Sequence, residues 1–229
     1  GNSEFFGNLT LGRRNPGGRV SDGTRRLILG GYAEPVGRDT IDYCTIASAG
    51  DFIDFGNLES SRREVMTAAS PTRGIIACGQ DPSSGNQGVN VIEFVITATT
   101  GNTSDFGDAT RTRRGGAGCS NSVRAVFGTG YIAPAPSNTS SSEIDYITIA
   151  TLGNAVSFGD LTYNRLETYG AVASHTRAVF GAGNDGSDNF VDTLDYVEIM
   201  TTGNGIDFGD LQDDRGGGAG LSNGNGGLG

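Results

Sequence analysis

The stretch IDYITIATLGNAVSFGDLTYNR, residues 144–165, decides the fold, because its pattern returns along the whole chain. At its centre lies a Phe-Gly core followed by Asp or Asn, and five copies of this core are present. A spacing of about 50 residues is typical of arrays in which each repeat forms one small sheet. The sequence therefore predicts a repeat protein. The five cores begin at Phe6, Phe55, Phe106, Phe158 and Phe208.

Four short segments rich in β-forming residues make up each period. Segment a is a run of small residues, and segment b is an apolar run that ends in Gly. Segment c is a run such as Ile144-Asp145-Tyr146, and segment d carries the Phe-Gly core. Apolar and polar residues alternate within the segments, and Gly, Asn, Asp and Ser separate them, as expected for strands joined by turns. Each period therefore predicts one four-stranded antiparallel sheet.

One such sheet per repeat predicts an all-β fold, a β-propeller with four-stranded blades of about 50 residues. A β-solenoid is the alternative, although its parallel coils usually have a shorter period. The segments predict four complete blades plus partial blade strands at both ends, in a single domain over 1–229. This domain is either part of a longer chain or a four-bladed ring with overhanging ends. The repeats cover 1–49, 50–100, 101–152, 153–202 and, in part, 203–229.

Composition narrows the classes of partner. The net charge is −10, and all of the strongly basic residues are Arg. An acidic chain repels a phosphate backbone, so we expect no nucleic-acid partner. No apolar run approaches the roughly 18 residues of a membrane span, so we expect no membrane insertion. Cys44, Cys78 and Cys119 lie in different repeats without paired spacing, which predicts buried free thiols.

The residues offer little basis for catalysis. The single histidine, His175, lies in a predicted short turn, so neither a Ser-His-Asp triad nor a zinc site is expected. The acids recur in every repeat, whereas glycoside cleavage requires one particular pair of carboxylates. The loop NDGSDN, residues 184–189, has the acid density of a calcium loop but lacks its bidentate acid. We expect no enzymatic activity, no cofactor and no metal, with a calcium ion in this loop as the alternative.

Three columns of residues recur in the repeats, and repetition indicates a role in building the array. The Phe column is expected to be buried against the neighbouring blade. The first Arg column, seven residues after each Phe, either pairs with a repeated carboxylate or forms a ring that holds an anion. The second Arg column precedes segment b and is expected to bridge blades. The first column is Arg13, Arg62, Arg113, Arg165 and Arg215, with candidate partners Asp42, Glu93, Asp145 and Asp195 or Asp108, Asp160 and Asp210; the second is Arg25, Arg73, Arg124 and Arg177.

The loops between segments b and c differ in length and chemistry from repeat to repeat. Variable loops on a repetitive scaffold are where binding surfaces usually form. We therefore predict ligand-binding residues there, with nearby tyrosines as stacking platforms for sugars; simple solvated loops are the alternative. The candidates are Asp81, Asn86, Asn138, Asp185, Asp188 and Asn189, together with Tyr32, Tyr131 and Tyr163.

The order of the segments resembles the kelch repeat: a small-residue strand, an apolar strand ending in Gly-Gly, an Asp-Tyr strand, then an aromatic residue followed by Leu and Arg. Phe stands where kelch repeats usually have Trp, and only Gly30-Gly31 keeps the double glycine. Strings such as residues 144–165 look like the kelch-like repeats of tail-fibre and other virion proteins of marine bacteriophages. Gly79, Gly130 and Gly183 hold the second glycine position in the other repeats.

That resemblance implies a non-enzymatic structural and adhesive protein on a virion surface, in a tail fibre or similar appendage. Its partners would be other virion proteins, copies of itself and host surface glycans, bound weakly by several loops at once. A secreted or cell-surface bacterial carbohydrate-binding protein is the alternative, and a glycan-cleaving enzyme is a less favoured one. Fold resemblance alone does not determine function, so these remain expectations.

Overall fold

The computed structural model describes residues 2–15, 18–85, 87–132, 139–168, 170–187 and 189–220. Within these ranges the chain is built of antiparallel β-strands with one short 3-10 helix, Pro82–Ser84, and no α-helix. The prediction of an all-β chain is therefore confirmed. None of the described residues belong to a helix that is long and apolar enough to cross a membrane.

The strands form four units, and each unit is a meander of segments a, b, c and d in chain order. Unit 1 comprises β1 (Gly18–Ser21), β2 (Arg25–Ala33), β3 (Val36–Thr45) and β4 (Ile53–Asn57). Unit 2 comprises β5 (Met66–Ala69), β6 (Arg73–Ala77), the short β7 (Gln80–Asp81), β8 (Gln87–Ile96) and β9 (Ser104–Arg114). Unit 3 comprises β10 (Ala117–Ser120), β11 (Arg124–Gly128), the short β12 (Tyr131–Ile132), β13 (Thr139–Thr148) and β14 (Val156–Arg165). Unit 4 comprises β15 (Ala171–Ala173), β16 (Arg177–Gly181), β17 (Thr193–Glu198) and β18 (Ile206–Asp210).

The two short strands, β7 and β12, differ in the strands with which they pair. β7 pairs with β8 of its own unit, whereas β12 pairs both with β13 and with β9 of the preceding unit. Through β12, units 2 and 3 share one hydrogen-bonded sheet, while units 1 and 4 each form a separate four-stranded sheet.

The Phe-Gly core joins each unit to the next through its backbone. The Phe106 carbonyl accepts a hydrogen bond from the Gly153 N–H at 2.8 Å, in the turn between segments c and d of the following unit. A Cβ at Gly107 would lie 2.6 Å from the Gly153 carbonyl, so only glycine leaves room for that turn. The φ of 142° at Gly107 also favours glycine. Equivalent hydrogen bonds link Phe55 to Gly101 at 2.8 Å, Phe158 to Gly203 at 2.9 Å and Phe6 to Gly50 at 2.8 Å.

Burial of the Phe column depends on having a sheet on both sides. Phe55, Phe106 and Phe158 are 2–3% exposed, because each lies between its own unit and the next. The prediction of burial is wrong for the other two, since Phe6 is 39% and Phe208 is 54% exposed. Phe6 belongs to a segment that packs on unit 1 outside any four-stranded sheet, and no described turn covers Phe208.

The apolar cores lie between units. One cluster joins Leu27 and Phe55 of unit 1 to Ile76 of unit 2. A second joins unit 2 to unit 3, and a third joins unit 3 to unit 4, where Phe158 packs in the same cluster as Phe180. Each sheet thus buries its apolar faces against its neighbours, as in other repeat arrays whose stability comes from nearest-neighbour interfaces.

A backbone bend recurs after segment b in every unit. The first position of the double-glycine site has a left-handed conformation at Gly30, Cys78, Thr129 and Ala182, with φ of 56°, 57°, 67° and 61°. A left-handed conformation costs a residue with a Cβ roughly 1–2 kcal/mol, so packing must hold these three non-glycine residues in place. The bend is therefore imposed by the architecture, even where the first glycine is missing.

The four segment-a strands approach one another in chain order, β1 to β5 to β10 to β15. Together with residues 217–220 they line one cavity of about 420 Å³, which we call the central cavity. The corresponding residues of successive strands, Arg19, Thr67, Gly118 and Ala171, all face it.

Candidate functional site

The first Arg column is buried and paired between units. Arg165 donates hydrogen bonds to the Asp195 carboxylate and, at 2.7 Å, to the Thr193 carbonyl, and neither charged side chain is exposed. Thr162 Oγ1 donates to the same carboxylate. Burial lowers the pKa of Arg165, and Asp195 opposes that shift. The same ion pair recurs as Arg13–Asp42 at 3.0 Å, Arg62–Glu93 and Arg113–Asp145.

These contacts favour pairing with a carboxylate over the alternative in which the first Arg column forms a ring that holds an anion. Each of the four paired guanidiniums is buried and faces a carboxylate of the unit that follows it in the chain. A buried charge of this kind must be paired to be tolerated, so its partner is part of the architecture. The four paired guanidiniums therefore leave no open position for an external anion.

Two members of the Arg columns depart from the predicted contacts. Arg215 meets no acid of a following unit among the described residues; it lies 3.7 Å from Asp213, and its side chain is 55% exposed. Arg177 pairs with Glu198 of its own unit at 2.7 Å instead of bridging two units. Both residues belong to unit 4, and no described sheet follows that unit.

The remaining members of the second Arg column bridge units. Arg124 donates to the Ile199 carbonyl of the next unit at 2.9 Å, and its guanidinium lies 4.1 Å from the ring centre of Tyr146. Tyr146 in turn meets Phe158 edge-on at 5.9 Å. Each bridging Arg thus rests on an aromatic pair within its own sheet. The equivalent hydrogen bonds run from Arg25 to the Thr97 carbonyl at 3.1 Å and from Arg73 to the Ile149 carbonyl at 2.8 Å.

Tyr32 does not provide an open stacking surface. The guanidiniums of Arg14 and Arg63 lie 5.2 and 4.8 Å from its ring centre, so both are in contact with the ring. The expected variable loop beside it is a tight turn at residues 34–35, because β2 and β3 pair as far as Ala33 and Val36. These neighbours and the tight turn argue against the predicted sugar platform at Tyr32.

Tyr131 is occupied in a similar way. Arg114 lies 4.3 Å from its ring centre, and its hydroxyl donates to Glu167 Oε1 at 3.2 Å. Burial and the neighbouring Glu167 raise the pKa of Tyr131. Its ring is therefore part of the contact between unit 2, unit 3 and the connection that leads to unit 4, which argues against a role as a sugar platform.

Tyr163 and Asp185 are two predicted ligand residues that line the same surface groove. They line a surface groove of about 360 Å³ with Ser142, Thr162 and Asn164, which we call the Tyr163 groove. The Tyr163 side chain is 47% exposed. An open aromatic ring beside a carboxylate, an amide and hydroxyls offers both the stacking and the hydrogen bonds that a sugar ring needs.

The carboxylate of the Tyr163 groove is held by its own loop. The Asn189 side chain donates to Asp185 Oδ2 at 2.9 Å, and the Ser187 N–H donates to Oδ1 at 2.6 Å. The hydrogen bond from the Asn189 side chain and those from the backbone lower the pKa of Asp185. Ser140 Oγ donates to the Asp185 carbonyl at 2.9 Å and fixes the loop to unit 3. Asp185 is therefore a charged acceptor in a fixed position.

Of the other loop candidates, the two that the structure describes, Asp81 and Asn189, do not line this groove. Asp81 caps the 3-10 helix by accepting from the Ser83 N–H at 2.7 Å. Asn189 is exposed and serves Asp185. Asn86, Asn138 and Asp188 lie outside the described residues.

No catalytic arrangement is seen in the part of the chain that the structure describes. His175 lies in the turn between β15 and β16, where its carbonyl accepts a hydrogen bond from Asn121. The Tyr163 groove has one carboxylate among its lining residues, whereas glycoside cleavage uses two. The described residues contain no group of three His, Cys, Asp or Glu side chains that could hold a metal.

Two residues that the sequence reasoning missed lie at the central cavity. Arg19 and Arg26 line it from β1 and β2 of unit 1. At the position of Arg26 the other units have Gly74, Ala125 and Ala178. Both residues differ from those at the equivalent positions of the other units, and this difference is the sequence signal that could have identified them.

In comparisons with known proteins, the chain matches no protein-family model and no curated protein.

Proposed function

We propose that this chain is a kelch-like β-propeller, or an arc of one, that serves as a structural and adhesive module on a virion surface. The adhesive site is the Tyr163 groove, and its ligand is a glycan of the host surface. Binding at each copy is weak and becomes useful through the many copies on one particle. The protein performs no catalysis in this role.

The observation that carries the proposal is that the repeated residues make the contacts within and between units, whereas residues that do not recur help to form the exposed groove. The repeated Phe and Arg side chains are used for contacts within and between units, as in the Arg165–Asp195 pair and the Phe106–Gly153 hydrogen bond. The Tyr163 groove combines one residue of a variable loop, Asp185, with residues of β13 and β14 that include the exposed Tyr163 ring. A scaffold that uses its repeated residues for internal contacts and leaves other residues exposed beside a variable loop is suited to binding.

Glycan binding is tested on immobilised bacterial surface polysaccharides with the purified full chain. Tyr163→Ala is expected to abolish the signal, because sugar stacking requires the ring, whereas Tyr163→Phe is expected to keep most of it. Leu152→Ala is the matched control, since Leu152 is exposed in a different turn. Equal binding by the wild type and Tyr163→Ala would contradict a site in this groove.

The setting and the architecture need separate tests. Mass spectrometry of purified phage particles is expected to detect the chain, and detection only in bacterial culture medium or on bacterial cells would favour a bacterial carbohydrate-binding protein. A crystal structure is expected to place the four segment-a strands around one axis. An arrangement in a linear row would contradict the propeller.

A further inference from the structure

At one place the residues that line the central cavity depart from the repeat. Four equivalent positions of the segment-a strands face it, and three of them are the small residues Thr67, Gly118 and Ala171. In unit 1 this position is Arg19, and the neighbouring Arg26 replaces a glycine or alanine of the other units. Residues that break the repeat are not needed to build it, so these two arginines call for a separate role.

The two guanidiniums share one face of unit 1. Arg26 lies opposite Ser21 in the β1–β2 ladder, and Arg19 lies two residues before Ser21, on the same side of the sheet. Their proximity is electrostatically unfavourable: burial lowers the pKa of Arg26, and the charge of Arg19 lowers it further. Like charges held together in this way are stabilised when an anion lies between them.

No anion of the protein fills that position among the described residues. Neither guanidinium has a hydrogen bond or an ion pair there, although every buried Arg of the first column has its carboxylate. Glu64 also lines the cavity, but its carboxylate lies 2.9 Å from Arg114. Arg19 is exposed and Arg26 is half-buried, so both guanidiniums are accessible to an anionic ligand.

The volume and the lining residues of the cavity indicate what kind of anion fits. A volume of about 420 Å³ falls in the range of small-molecule sites and far exceeds the needs of an inorganic ion. The arginines form one side, Asn15 adds an amide, and Val20 and Met66 are among the apolar lining residues. A matching ligand has an acidic group for the arginines and a second part that presents both polar and apolar surface.

We propose that the central cavity binds an acidic sugar, a uronic acid or its short oligosaccharide, with Arg19 and Arg26 holding the carboxylate. Planar guanidiniums match a planar carboxylate through paired hydrogen bonds. The choice of a sugar rests on the proposed function, whereas the anion site rests on the two arginines alone. This site is distinct from the Tyr163 groove in both position and charge.

The test is isothermal titration calorimetry of the full chain with D-glucuronate, D-glucose and inorganic sulfate. Glucuronate is expected to bind, and glucose is not. Arg26→Ala and Arg19→Thr place in unit 1 the residues that other units already have at these positions, so folding is expected to persist. Each variant is expected to weaken glucuronate binding by roughly tenfold to a hundredfold, the effect of losing one charged hydrogen bond. Arg111→Gln, an exposed arginine absent from the cavity lining, is the control and is expected to bind as the wild type does.

The outcomes separate this site from the proposed function. Absence of glucuronate binding, or binding that both cavity variants retain, overturns the site. Equal affinity for sulfate and glucuronate overturns the assignment to a sugar acid. If glucuronate binds through Arg26 but no surface polysaccharide binds, the central cavity stands and the adhesive function fails. If polysaccharide binds through Tyr163 and glucuronate does not bind, the adhesive function stands and the central cavity fails.

Discussion

Replacement of Arg165 by Met tests whether the buried ion pairs hold the units together. The change keeps most of the side-chain volume but leaves the Asp195 carboxylate buried with only the Thr162 hydroxyl as a side-chain partner, and the Thr193 carbonyl loses its donor. Breaking one partner of a buried ion pair costs about 3–5 kcal/mol. For a chain of this size, that loss lowers the melting temperature by roughly 6–20 °C.

Arg215→Met is the matched control, because Arg215 occupies the same column but is exposed. Its effect on the free energy of unfolding is expected to stay within about 0.5 kcal/mol. The double variant Arg165→Met with Asp195→Leu removes both charges and is expected to recover more than half of the loss.

The assay is urea unfolding followed by circular dichroism, with the midpoint and the slope of each transition compared. A loss below about 1 kcal/mol for Arg165→Met would refute the reasoning. Equal losses for Arg165→Met and Arg215→Met would refute it as well, because burial could then not be the cause.

Two further predictions concern burial. Phe158→Ala is expected to cost about 3–5 kcal/mol and Phe208→Ala less than about 1 kcal/mol in the same urea assay, because only Phe158 lies between two sheets; equal costs would contradict the assigned contacts. Burial raises the pKa of Cys78 from 9.0 to about 11 and that of Cys119 to about 12. The native protein is therefore expected to protect both thiols from a thiol reagent at pH 8. Because the folded chain keeps these protons after the unfolded chain has lost them, stability is expected to fall by about 1 kcal/mol per thiol between pH 9 and 10; an unfolding midpoint that does not change over this range would contradict the prediction.

Much of the sheet architecture follows from the sequence because it depends on spacing. The alternation within segments a to d predicts the strands, and the repeated Arg and acid at fixed distances allow for the pairing of Arg165 with Asp195. What spacing could not separate was the pairing with Asp195 from that with Asp160, since both acids recur with the same period. Only the three-dimensional stacking of one unit on the next decides between them.

The site was harder to predict than the fold. Tyr32 and Tyr163 are both tyrosines near variable loops, yet arginines from the segment d–a connections cover one and not the other. Such a difference depends on which residues of the adjoining connections reach the ring. Arg19 and Arg26 could not be found from the recurring columns, because each differs from the small residues that the other units have at its position.

The joint at which the Phe106 carbonyl meets the Gly153 amide uses main-chain atoms and one recurring side chain, because Asn154 Oδ1 accepts from the Asp108 N–H at 3.0 Å. A peptide group is the same in every residue, so beyond its Gly-Asn pair this joint places little demand on the surrounding side chains. Loop residues near it are free to drift, and whole repeats are free to be copied or exchanged by recombination, provided that the glycines and the Arg–carboxylate pair travel with them. Such a gene can diversify its surface rapidly while its products continue to fold.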